Sequence, residues 1–234
     1  MKVKVGEGLR AKLWMWPRGG GHTALHLAAM GFQVTAADLS PGMLESARTL
    51  AEEQGYFLTT VCHEAEKFPY PEVQFDLVTC RVAAHHFSDP VAFLRESARV
   101  LKPGGSCLLI DGSVPDGDTE AEEWIHRVEK LRDPRHARFL SPGAWPRLCE
   151  AAGMTVADCQ ITPLKQPDLN WCFETAGTSP ENQAAVMDLV ESSPKAARRV
   201  ISLGKEEGRI VWWWPRRTLV AHAADGCCPG KELS

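Results

Sequence analysis

Four short stretches carry residue types that could do chemistry: the glycines at 19 to 21, Asp38, "HEAE" at 63 to 66 and "CRVAAHHF" at 80 to 87. Gly19, Gly20 and Gly21 let a ligand approach the backbone closely, and a helix opening on them points its N–H groups towards that ligand. Asp38 follows Gly21 by 17 residues. A carboxylate there, at the end of a second strand, is placed to accept hydrogen bonds from two ribose hydroxyls. His85 and His86 can take a proton from a hydroxyl or phenol. A metal site is not expected: adjacent histidines cannot easily aim at one ion, and neither CxxC nor HExxH accompanies them.

These residues need a scaffold that brings strand ends together. Helical and strand patterns alternate along the chain, which predicts an α/β fold with a mostly parallel sheet and helices on both faces. "HTALHLAAM" has Leu25, Ala28 and Ala29 at helical spacing, closed by Gly31. "FQVTAAD" reads as a strand ending at Asp38. "SPGMLESARTLAEEQG" opens with Ser40 as cap and Pro41 at the first helical position. "FLTTVC", "FDLVTC" and "SCLLIDG" are apolar strands, and "PVAFLRESARVL" is an amphipathic helix. All four chemical stretches then fall at the carboxyl ends of successive strands, where open parallel sheets bind ligands.

From Val114 the pattern changes. "DTEAEEWIHRVEKLRD" predicts a helix lying over the sheet edge, part of an inserted cap around 114 to 140. "SPGAWPRLCEAAG" predicts a helix capped by Ser141, and "MTVADCQI" a strand. Helices are expected near 180 to 191 and 194 to 203. "GRIVWWWPRRTLVAHA" is strand-like on both sides of Pro215, which cannot donate to a ladder, so a bulge or break is expected there. Residues 222 to 234 read as a disordered tail.

Composition narrows the function classes. The chain has 234 residues, 44% hydrophobic and 24% charged, with a net charge of -4. These values fit a globular domain and point away from a nucleic-acid partner. No apolar run approaches the roughly 20 residues of a membrane span. The eight cysteines are scattered, and Cys62, Cys80 and Cys107 sit in apolar runs as expected buried thiols. A reduced, cytoplasmic protein is the expectation.

From Gly19 to about Ala221 the chain resembles a class I S-adenosylmethionine-dependent methyltransferase, in the small-molecule group that includes UbiE-like enzymes. "GGGHTAL", "VTAADLSPGMLESA", "HEAEKFPYPEVQFDLVTCRVAAHHFSDP" and "FLRESARVLKPGGSCLLID" match that family's motifs in order. The resemblance implies a Rossmann-like open sheet of seven strands, S-adenosylmethionine as cofactor and a small-molecule methyl acceptor. It implies that Gly19 and Gly21 flank the methionine moiety, with Gly20 between them, and that Asp38 binds the ribose. Leu39 and Met43 would pack near the adenine. Glu64, where the family usually has Asp, would accept from the adenine amino group, and Ala65 would offer its N–H. Arg81 would lie beside the methionine end. His85 or His86 would serve as base for an oxygen nucleophile.

One stretch departs from that pattern. The family has an apolar strand and then an acidic residue before the glycines; here Met15 stands at the acidic position, and Pro17 and Arg18 precede Gly19. "WMWP" is encoded as TGG ATG TGG CCN, and the displaced frame contains GAT GTG GCC, or Asp-Val-Ala. Residues 1 to 18 therefore read as an atypical segment, translated out of the ancestral frame. The expectation is a compromised first strand, filled by "RAKLWMW", and weakened cofactor binding. A non-catalytic chain working through a partner is the alternative function. A nicotinamide dehydrogenase fits less well, because Ala24 stands where its fingerprint has a further glycine.

Overall fold

The computed structural model describes residues 12–17, as backbone, and residues 21–223. Gly19, Gly20 and the segment ahead of Lys12 lie outside the described residues, as does the chain beyond Ala223. In chain order the first half runs β1 (Lys12–Pro17), α1 (His22–Ala29), β2 (Gln33–Asp38), α2 (Pro41–Glu53), β3 (Leu58–Cys62), β4 (Phe75–Arg81), a 3-10 turn (Ala84–His86), α3 (Pro90–Val100) and β5 (Leu101–Gly112). The second half runs α4 (Thr119–Arg132), α5 (Ala144–Ala151), β6 (Met154–Lys165), α6 (Leu169–Ala176), α7 (Pro180–Glu191), α8 (Lys195–Val200), β7 (Gly204–Glu206), β8 (Arg209–Val211) and β9 (Trp213–Ala223).

Seven strands form one mixed sheet in the order β3-β2-β1-β4-β5-β9-β6. The five strands from β3 to β5 are parallel, and β9 and β6 add antiparallel pairs. The direction of strand succession reverses between β1 and β4, which makes that junction the switch point of the sheet. β1 fills the central slot: Met15 lies opposite Ala36 on one side and Thr79 on the other. Residues 12–17, read from sequence as part of an atypical segment, therefore complete the ladder on both flanks.

Two helical layers cover the sheet. Ala24 and Leu25 of α1 and Ala47 and Ala51 of α2 pack with Val34 and Leu58. Phe93 and Leu94 of α3 and Trp145 and Cys149 of α5 pack with Val78, Cys80, Leu109 and Leu219. Burying apolar positions on both faces is what lets the parallel strands read as continuous apolar runs. A separate core joins α4, α6, α7 and α8 through Trp124, Ile125, Phe173, Val186 and Ala197, together with Trp212. The cap is thus larger than the 114–140 insertion expected from sequence, because three later helices fold against α4.

Local signals explain most boundaries. Ser40 accepts from the Met43 N–H at 3.4 Å, and Asp89 accepts from Val91 and Ala92 at 3.0 Å. Other expectations are corrected. Gly143, not Ser141, caps α5, and its N–H donates to Asp116. β9 runs through Pro215, opposite Pro163, because that position lies past the end of β5 and needs no second donor. The break falls instead at Trp212, and a register shift falls between Val156 and Asp158. Helix α6 and the β7–β8 hairpin were not anticipated. Residues 222 and 223 belong to β9 rather than to a tail. Cys62 is exposed, since it ends an edge strand, whereas Cys80 and Cys107 are buried. No described helix is long and apolar enough to cross a membrane.

Candidate active site

Strand register sets the level of the site. Asp38 pairs with Cys62, Pro17 with Arg81, and Arg81 with Ile110. With Ala36 opposite Met15, Cys62, Asp38, Pro17 and Arg81 end their strands at one level along the carboxyl edge, and β5 runs two residues further. At one interstrand spacing per step, the edge from Cys62 to Arg81 spans about 14 Å. A nucleoside-sized ligand fits that length.

Gly21 turns the chain from β1 into α1. Its φ is +84°, and a Cβ there would lie 2.6 Å from the Ala47 Cβ. Only glycine satisfies both the left-handed backbone and the contact with α2. Asp38 is half-buried at the end of β2, and its Oδ1 accepts from the Ser40 N–H at 2.8 Å. That bond helps fix the carboxylate at the strand edge. Leu39 is 58% exposed and Met43 half-buried, on the loop and first turn of α2 beside Asp38. Glu64 is exposed just beyond β3, its carbonyl accepting from His63 Nδ1 at 2.7 Å if that nitrogen is protonated. Ala65 is buried.

The connection after β4 carries strain. Val82 has φ +54°, an outlier for a β-branched residue, and its N–H donates to the Ile110 carbonyl at 2.6 Å. Such a conformation costs of order 1–3 kcal/mol and collects at functional turns. Here it lets the chain leave the sheet directly after Arg81 and bring His85 back over the end of β5.

His85 is buried against Asp111, the penultimate residue of β5. Its backbone N–H donates to Asp111 Oδ2 at 2.8 Å, and its Nδ1 lies 2.7 Å from Asp111 Oδ1. A carboxylate only accepts, so Nδ1 carries the proton and Nε2 carries the lone pair. His86 is half-buried, with Nδ1 2.9 Å from the Arg135 carbonyl, which fixes the same tautomer. The cap is stitched to this turn: the N–H groups of Ala137 and Arg138 donate to the His85 carbonyl at 2.8 and 3.1 Å. Across the strand pair, Arg217 lies opposite Asp111 and is wholly buried, its Nη2 donating to Ser113 Oγ at 2.9 Å. Burial lowers its pKa, opposed by Cys159 and by the Asp116 and Asp111 carboxylates. A guanidinium keeps its charge all the same, so a fixed cation accompanies the buried Asp111.

The structure thus gathers Gly21, Asp38, Glu64 and Arg81 along one strand edge and sets His85 and His86 at its β4–β5 end. Asp111, Arg217 and His136 were missed. Asp111 had the signal that picked out Asp38, an acid closing an apolar strand, but its pairing with His85 joins residues 26 apart. Among the described residues no cluster of three or more His, Cys, Asp or Glu side chains could hold a metal.

A switch-point sheet with a glycine turn, an acid after the second strand and a cap over the β4–β5 end defines a Rossmann-like α/β class. Residues 18–109 match the methyltransferase domain family. The chain belongs to the class I S-adenosylmethionine-dependent methyltransferases. It is 33% identical over 183 residues to the uncharacterized methyltransferase YcgJ of Bacillus subtilis, covering 77% of this chain and 71% of that protein. The ubiquinone biosynthesis O-methyltransferase of Idiomarina loihiensis is 32% identical over 142 residues, 58% of each chain. Among solved structures, BH2331 of Bacillus halodurans superimposes with a TM-score of 0.83 at 30% identity, covering 92% of this chain and 93% of that one.

Proposed function

We propose that this chain methylates an oxygen of a small organic molecule, with His85 as the base. The nucleoside would lie along the carboxyl edge, held by Gly19, Gly20 and Gly21, with Asp38 on the ribose. Leu39, Met43, Glu64 and Ala65 would surround the adenine, and Arg81 would stand at the methionine end. The residues fit that ligand: the Gly21 turn has no room for a side chain, and the Asp38 carboxylate is held at the strand edge by the Ser40 N–H.

S-adenosylmethionine, when bound, supplies an electrophilic methyl on a positively charged sulfur that leaves as a neutral thioether. The protein therefore needs to orient the acceptor, exclude water and remove one proton. His85 Nε2 takes the hydroxyl proton as the oxygen–carbon bond forms. Asp111 holds the ring in the required tautomer and stabilises the imidazolium that results. The observation that carries this reading is the buried 2.7 Å contact between His85 Nδ1 and Asp111. His86 is the second candidate; its ring is held by a neutral carbonyl, a weaker support for a cationic ring than a carboxylate.

The test is methyl transfer from labelled S-adenosylmethionine to a panel of small phenols and alcohols. Label is expected on oxygen for at least one acceptor, and His85→Gln is expected to slow transfer about a hundredfold or more. Undiminished transfer by His85→Gln, or label found only on nitrogen or carbon, would overturn the base assignment.

A further inference from the structure

Four histidines gather where the cap meets the end of β5. His85, His126 and Phe139 surround His136, with ring centroids at 5.3, 5.8 and 4.7 Å. Three of the four rings have hydrogen-bond partners. His85 has Asp111, His86 has the Arg135 carbonyl, and His126 Nε2 accepts from the Phe139 N–H at 3.1 Å. His136 differs. It is 1% exposed, and neither Nδ1 nor Nε2 has a partner.

The backbone around His136 is fully committed. Its N–H donates to the Asp133 carbonyl at 2.9 Å, and its carbonyl accepts from Lys130 Nζ at 2.9 Å. The next residue, Ala137, donates to the carbonyl of His85. The ring is thus delivered to a fixed place beside the His85 ring by a segment with no freedom of its own. A neutral imidazole always carries one N–H and one lone pair, and burying both unmet costs stability. Leucine or phenylalanine would fill the same space among Phe139 and the other rings without that cost. A buried polar group without a partner, beside the proposed base, calls for an explanation, and a bound ligand supplies one.

We propose that His136 recognises the methyl acceptor by hydrogen-bonding an uncharged hydroxyl group on it. This deepens the methyltransferase reading above and rests on the acceptor lying at the β4–β5 end. The choice of hydroxyl follows from complementarity: whichever ring nitrogen faces the acceptor, a hydroxyl can meet it, by accepting from the N–H or by donating to the lone pair. A carboxylate could use only the N–H, and an ammonium only the lone pair. The ring stays neutral, because burial, with His85, His126 and His86 around it, pushes the His136 pKa down to about 2. Anionic acceptors also meet the Asp111 carboxylate behind His85.

The experiment is nitrogen NMR of the histidine rings in the full chain with S-adenosylhomocysteine, titrated with phenol and then with toluene. His136→Gln identifies the His136 signals, and thermal melting of His136→Leu is measured in parallel. Phenol is expected to shift the His136 ring nitrogens while toluene, the same ring without the hydroxyl, leaves them in place. His136→Leu is expected to melt several degrees above the parent protein. The proposal is overturned if phenol and toluene act alike, if neither acts, or if His136→Leu melts lower or does not fold. Ring occupancy does not depend on proton transfer, so a His85→Gln protein with undiminished activity would sink the base assignment and leave the phenol response standing.

Discussion

The two halves of the site are built differently. The cofactor half, from β1 to β3, is made of local devices: a glycine turn, an acid at a strand end and a helix cap two residues later. The acceptor half joins β4, β5, β9 and the cap through contacts between distant residues, such as Asp111 with His85 and Ala137 with the His85 carbonyl. Under the proposed function, the first half would hold a fixed ligand with main-chain groups and one carboxylate, and the second would select and activate a variable ligand with buried side chains. A fold can therefore keep the first and exchange the second, which is why fold identifies the chemistry more readily than the acceptor.

Substitutions in each half should fail in different ways. The largest effect is expected at Gly21, where a side chain meets both the positive φ and the 2.6 Å approach to Ala47. Gly21→Val is expected to cost about 3 kcal/mol or more, read as a fall in Tm of roughly 10 °C in a chain of this size. A melting curve matching the parent would show that α1 and α2 can separate cheaply. Asp111→Asn comes next. Asp111 accepts from the His85 N–H, from His85 Nδ1 and from the Gly112 N–H at 2.7 Å. An amide turns one acceptor into a donor, so stability should fall by about 1–3 kcal/mol and methyl transfer about a hundredfold or more, with cofactor affinity unchanged by calorimetry. Weaker cofactor binding in that variant would erase the division between the halves. The smallest stability effect is expected at Asp38. Asp38→Ala should leave Tm nearly in place while weakening S-adenosylhomocysteine binding roughly tenfold or more, the worth of hydrogen bonds to a charged group.

The same contrast governs what could be read from sequence. Ser40 and Pro41 marked the start of α2, and Gly21 and Asp38 marked a turn and a strand end, because each of these signals acts within a few residues of itself. His85 and His86 were visible as a pair, but nothing local distinguishes them; Asp111 does so from the far end of β5. His136 was hidden for the same reason, since its significance lies in what its neighbours bond to. Pro215 was misjudged because a proline breaks a ladder only where the partner strand still runs. The first strand shows the limit from the other side: its residue types depart from the family pattern at Met15, yet its backbone pairs on both flanks. Slot filling needs extended, apolar chain, whereas ligand contact needs particular side chains.

The proposed function requires the carboxyl edge to act as a nucleoside cradle. A crystal structure of the full chain with S-adenosylhomocysteine tests it most directly. The predicted result has both ribose hydroxyls on the Asp38 carboxylate, the amino-acid end beside the glycine turn and the sulfur turned towards His85. A nucleoside bound elsewhere, or an edge that stays empty at saturating ligand, would contradict it.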